Sequence, residues 1–162
     1  MAQLGLAHQY GVLGVAGSSP VTPTIDFELF TIINMKFYIA SRVNNKSLVK
    51  NIRNQITKLG HQFLSTWIDE TNIIPYEKNA KNAKLRAIQC IKDTSKCDVF
   101  ILISDEEGAG MYTELGVALL AHSINKRPKI YVIGDHLNRS MFFFHSGIKR
   151  LKTFEEVLAD LK

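Results

Sequence analysis

The stretch GAGMYTELGVALL, residues 108 to 120, sets a carboxylate, Glu114, about one turn into a helix-forming run. It follows a glycine-bearing loop and the apolar segment DVFILIS. A helix N-terminus favours an anion, so this placement is expected to keep the carboxylate ionised at neutral pH. An ionised, oriented carboxylate beside an open loop can attack an anomeric carbon and hold a covalent glycosyl intermediate. The same position also suits an acid that only interacts with the helix dipole, by roughly 0.3 to 1 kcal/mol, and position alone leaves both readings open. Tyr38, in the run KFYIAS, is the second candidate: strand alternation turns its phenol either into the same cleft, where it hydrogen-bonds Glu114, or away from it. Gly116 and Ala118 are expected to let the helix approach the sheet closely and so fix the direction of Glu114.

These side chains need elements to hold them. KFYIAS (36 to 41) reads as a first strand, and Leu48, Val49, Ile52, Ile56 and Leu59 repeat at helical spacing before Gly60 as a stop signal. HQFLSTWID (61 to 69) reads as a second strand and TNIIPYEKN as a loop. From Ala80 to about Lys96, Ala83, Ala87, Ile88 and Ile91 form another helical stripe. DVFILIS (98 to 104) is almost wholly apolar, as a central parallel strand must be. A helix from about Met111 to Asn125, a strand KIYVIGD, a long connection HLNRSMFFFHS, a short strand GIKRL and a last helix capped by Thr153 complete the chain. Such alternation demands an α/β fold, a mostly parallel sheet with helices on both faces, and sheets of this kind bind ligands at the carboxyl ends of their strands.

The expected ligand-binding positions are therefore Ser41 and Arg42, Trp67 and Asp69, the loop from Asp105 through Gly108 to Gly110 with Met111 and Glu114, and the segment Asp135 to Asn138. GAG alone is not a dinucleotide-binding fingerprint, since no third glycine follows at the required spacing. Asp98, at the start of its strand, lies at the opposite end from such a cleft and reads as structural. Arg42, Asn44, Lys46 and Ser47 are placed to meet a phosphate at a helix N-terminus, or are simply a solvated loop.

At 46% apolar and 22% charged residues, the 162-residue chain has the composition of one soluble globular domain. Its formal charge of +5 suits small anions, but no basic cluster interleaved with aromatics marks a nucleic-acid track. Cys90 and Cys97, seven apart in one helical segment, are too far apart for a disulfide and match no metal-ligand spacing, so two reduced thiols and a cytoplasmic setting are expected. All twenty Lys and Arg residues lie from Lys36 onward. The apolar start, LGLAHQYGVLGVAG, lacks the basic region of a signal peptide and is too short and interrupted to span a membrane. Codons for Gly17, Ser18, Ser19 and Pro20 can contain the pattern of a transfer-RNA T arm. Residues 1 to 34 are accordingly expected to be an extension, disordered or translated from non-coding sequence, with a natural start at Met35. The upstream nucleotide sequence tests this.

The segments KFYIAS, SKCDVFILIS with GAGMYTELGVAL, KIYVIGD, FFFHSGI and TFEEVLADL resemble the nucleoside 2-deoxyribosyltransferase-like family, over Met35 to Lys162. The resemblance implies a three-layer, Rossmann-like or flavodoxin-like domain of about five strands in an order close to 2-1-3-4-5. It implies cleavage or exchange of the N-glycosidic bond of a deoxynucleoside or its 5'-monophosphate, without metal or redox cofactor. Glu114 falls on the family nucleophile and Tyr38 on the tyrosine that hydrogen-bonds it. The family also implies a homo-oligomer in which a neighbour helps to close the site, for which Met141 to His145 is the candidate contact. Two positions depart from the pattern. Where the catalytic members carry an aspartate in the helix before the third strand, this chain has Cys90, with Asp93 nearby as a possible substitute; and six residues before the glutamate it has Gly108 in place of an acid. A nucleotide-binding or sensing module that kept the cleft and lost turnover is the alternative these departures favour.

Overall fold

The computed structural model describes residues 34–71 and 73–162. Apart from Asn34, the expectation for residues 1 to 34 lies outside the described residues. The elements are β1 (Lys36–Ala40), α1 (Lys46–Lys58), β2 (Gln62–Phe63), α2 (Ala80–Lys96), β3 (Val99–Ile103), α3 (Ala109–Asn125), β4 (Lys129–Ile133), β5 (Ile148–Leu151) and α4 (Phe154–Leu161). The strands form one five-stranded, all-parallel sheet in the order β2-β1-β3-β4-β5. The fold is thus the α/β arrangement that the alternating pattern demands. Because parallel crossovers are right-handed, the reversal of strand order beside β1 sends helices to both faces of the sheet.

The core follows from strand composition. All five residues of β3, VFILI, are buried, and β1 and β4 each begin on an exposed lysine and continue with four buried residues. Register pairs Tyr38 with Phe100, so both side chains leave the same face of the sheet, and their rings stack with centroids 6.0 Å apart. On α1 the buried stripe is Val49, Ile52 and Ile56. Leu48 and Leu59, expected in that stripe, are about half exposed, Leu59 because the helix has already ended. Gly60 takes φ 80° and donates its N–H to the Thr57 carbonyl, the left-handed stop that glycine adopts without strain. At α4 the Thr153 hydroxyl accepts the Glu156 N–H at 3.3 Å, while the Glu156 carboxylate accepts the Lys152 N–H at 2.8 Å, a near relative of the capping box.

Three expectations are corrected. The second strand is two residues long rather than nine, because side chains replace its ladder. The Ser65 hydroxyl accepts the Ile39 N–H at 2.6 Å and the Trp67 indole donates to the Ile39 carbonyl at 3.0 Å. With β1 satisfied in this way, the chain turns into a 3-10 turn at Thr66–Ile68. The apolar stripe of α2 is not core: only Thr94 of that helix is buried, and Ile88 and Ile91 are 55% and 47% exposed. On α3 the buried stripe is Met111, Leu115 and Ala118, and Gly116 lies off it, facing open space, so Ala118 alone does the close packing. The phenylalanine run forms a 3-10 turn, Met141–Phe144, in which Phe143 is buried against Tyr112 while Met141, Phe142 and Phe144 remain exposed.

Asp98 fastens the amino ends of three strands. Its carboxylate accepts the Lys36 N–H at 2.9 Å, its own N–H donates to the Lys36 carbonyl, and its carbonyl accepts the Lys129 N–H. Replacing Asp98 by Ala is expected to lower the unfolding free energy by about 1 kcal/mol, read from the urea midpoint, without touching the opposite end of the sheet. Among the described residues, no helix is long and apolar enough to cross a membrane.

Candidate active site

At the carboxyl ends of the strands, between α2 and the start of α3, lies a cavity of about 400 Å3. A smaller pocket of about 160 Å3 shares its Glu114, Cys90 and Arg86 walls and reaches Ser41, Trp67 and Met111. The volume of the larger cavity, about 400 Å3, suits one ring system with a sugar.

Glu114 occupies the cavity wall. The Tyr38 hydroxyl donates to its carboxylate at 2.7 Å, which the parity of β1 permits because Tyr38 leaves the face covered by α3. The Cys90 thiol, on α2, stands near enough to both groups to influence their ionisation. Burial pushes the Glu114 carboxyl above its ordinary range, and the Tyr38 bond and the nearby Cys90 thiol pull it partly back. Burial, then the Glu114 charge, drives the Tyr38 phenol far up, so it remains a donor. Burial, partly offset by the Tyr38 hydroxyl, pushes Cys90 up to about 11, so it is a neutral thiol. The site therefore holds one carboxylate, one uncharged hydroxyl that donates to it and one neutral thiol beside it.

This environment corrects the electrostatic expectation for Glu114. The helix begins at Ala109, so Glu114 stands in the second turn, and no acid occupies the first. The influence of the helix terminus fades beyond one turn, and burial dominates.

Of the other expected positions, Ser41, Trp67, Gly110 and Met111 line the pockets with Glu114. Gly108 caps α3 at φ 122°; a Cβ there would stand 3.1 Å from the Arg42 side chain and 3.3 Å from that of Met111, and only glycine accepts that backbone readily. Arg42 is not a free anion receptor: its guanidinium pairs with Asp105 at 3.0 Å and with Glu107 at 2.9 Å. Asp105 also accepts from Asn45 at 3.1 Å, and the Arg42 bond holds its carboxyl below the usual range. These bonds tie the loop after β1 to the loop after β3.

Two expected residues stand elsewhere. Asp69 pairs with Arg53 at 2.6 Å on the outside of α1, because the 3-10 turn that replaces the end of β2 carries it away from the cavity. Asp93 does not substitute for Cys90: three residues on, it is rotated about 60° around the helix, and its carboxylate accepts from Gln89 at 2.8 Å. Lys46, considered for a phosphate, donates to the Glu70 carbonyl at 2.9 Å.

Arg86, Tyr76, Ile73 and Thr113 also line the cavity and were not singled out from sequence. The signal was present in α2, where Ala83, Arg86, Ala87 and Cys90 recur at three- and four-residue spacing; two alanines on such a face leave room for a ligand as readily as for a neighbouring helix. Arg86 pairs with Glu70 and donates to the Thr71 carbonyl at 2.8 Å.

No family model matches the chain, and no curated protein matches it. A solved structure that it resembles is that of Clostridium botulinum CMP N-glycosidase, BcmB, with 15% identity over 78% of this chain and 97% of that one, at a TM-score of 0.47.

Proposed function

We propose that the protein cleaves or exchanges the N-glycosidic bond of a deoxynucleoside or its 5'-monophosphate, with Glu114 as nucleophile. The observation that carries this reading is the Tyr38 to Glu114 hydrogen bond of 2.7 Å at the wall of a nucleoside-sized cavity. A Glu114 oxygen forms a bond to C1' as the bond from C1' to the base nitrogen breaks, its electron pair leaving with the base. Tyr38, holding the second lone-pair direction, keeps the attacking carboxylate oriented. Water, or the nitrogen of a second base, then attacks C1', releases Glu114 and gives up a proton to solvent. Burial raises the free energy of the ionised carboxylate, which favours its consumption in the covalent ester.

The test is base release from deoxynucleosides and their 5'-monophosphates, with and without an acceptor base, by the protein and its Glu114→Gln variant. Glu114-dependent release supports the reading, and new nucleoside formed with an acceptor makes the protein a transferase. No release from any substrate overturns it and favours the second reading, a binding or sensing module, which Cys90 in place of an acid supports.

Tyr38→Phe removes a hydrogen bond to a charged group, so kcat/KM is expected to fall roughly tenfold to a hundredfold. The lost bond lowers the Glu114 pKa in the parent protein, so the acid limb of the pH profile moves to higher pH in the variant. A rate loss with an unmoved acid limb would make Tyr38 a packing residue only.

A further inference from the structure

We infer that Arg86 is a specificity-determining residue that selects bases carrying a carbonyl oxygen on the edge remote from the glycosidic bond. The inference rests on the N-glycosidic reading for the placement of the sugar, with C1' at Glu114. Arg86 and Glu114 are the two ionised side chains in the wall of the larger cavity, whose remaining lining there is mostly apolar: Ile73, Ala83, Ala87 and Ile91. A base lying along α2 from Cys90 meets Arg86 one helical turn further on. Four residues advance about 6 Å, close to the span of a pyrimidine ring with its exocyclic oxygen.

The guanidinium is held for such a contact. Its Nε bonds the Glu70 carboxylate and one terminal nitrogen bonds the Thr71 carbonyl, which fixes the plane of the fork. The other terminal nitrogen has no hydrogen-bond partner among the described residues, and the side chain is 17% exposed, at the cavity wall. Guanidinium groups only donate. An oxo group accepts from that nitrogen, whereas an exocyclic amino group presents N–H against N–H.

The same contact aids departure of an oxo base. When the bond from C1' to nitrogen breaks, the electron pair delocalises onto the carbonyl oxygen of a lactam-type base, and a neighbouring guanidinium stabilises the developing anion. No proton from Arg86 is required; the base takes its proton from solvent after leaving. Cys90, a neutral thiol, supplies no acid for an amino base to leave by the protonated route.

Calorimetry with free bases tests this without any turnover, using the full chain and its Arg86→Gln and Arg86→Lys variants with hypoxanthine, adenine, uracil and cytosine. The expected result is that the protein binds hypoxanthine over adenine, and uracil over cytosine, by roughly tenfold or more, and that both variants narrow the gap. Equal affinity of the unaltered protein for oxo and amino bases overturns the inference, as does a gap that survives in a folded variant. Absence of binding by any base overturns it too. If Arg86→Gln instead weakens 5'-monophosphates and inorganic phosphate equally whatever the base, Arg86 is a phosphate anchor and the inference fails. Because these readouts are equilibrium affinities, they fail or succeed separately from the base-release test with Glu114→Gln.

Discussion

Base release is expected to fall by about 10⁴- to 10⁶-fold in Glu114→Gln, the scale on which losing a protein nucleophile is felt, while the variant gains stability at neutral pH. The two effects share one cause. Burial raises the Glu114 pKa above its ordinary 4.5 in the folded state. A carboxyl with a raised folded pKa contributes stability that is fully present below its unfolded pKa and is lost as pH rises through the folded value. Above its raised folded value the parent carries an ionised, partly desolvated carboxylate, whereas glutamine is neutral and still accepts from the Tyr38 hydroxyl. The melting temperature of Glu114→Gln should exceed that of the parent at pH 7, and the difference should shrink as pH falls from the raised folded value towards 4.5. A variant that loses activity and also stability at pH 7 would mean that Glu114 serves the fold rather than chemistry.

Cys90→Asp is expected to have the opposite sign on rate. The thiol lies near both Glu114 and Tyr38, so a carboxyl at this position would stand beside the nucleophile. Two carboxyls so close do not ionise together; one holds its proton near neutral pH and becomes a general acid for the leaving base. General acid catalysis is worth roughly 10² to 10⁴ in rate. The gain should be largest for adenine and cytosine, which leave readily only when protonated, and smallest for oxo bases. The pH profile should change from a single acid limb to a bell, the second limb reporting loss of that proton. Unchanged rates with adenine substrates would remove the thiol from any account of turnover.

The fold was legible because β3 could be nothing but a central strand: five consecutive apolar residues between polar flanks leave no amphipathic alternative. Thr153 and Gly60 marked helix ends through local chemistry that does not depend on the rest of the chain. The length of β2 was not legible, since Ser65 and Trp67 displace the ladder through side-chain bonds to Ile39 that only the folded pairing reveals. Likewise an apolar stripe on a helix shows that it shuns water without saying whether it meets core or cavity, and α2 meets the cavity. Asp69 and Asp93 were proposed from position along the chain, but a site is built from directions. A 3-10 turn in place of a strand end, or 60° around a helix, was enough to turn each carboxylate towards another partner. Arg42 shows a further limit: its type suggests a phosphate receptor, but its neighbours Asp105 and Glu107 already occupy it.

The margins of the sheet carry one more consequence. An open parallel sheet has two strands with unpaired backbone groups, and each is a template on which a foreign strand can grow. Here one margin, β2, offers only two residues. The other, β5, carries Lys149 and Arg150 at its centre, with Lys149 tethered to Asp160 and Arg150 lying 4.1 Å over the Phe144 ring. A second molecule adding along β5 would have to bring its own strand against those fixed cations. The sheet of the described residues is thereby guarded against edge-to-edge fibril growth.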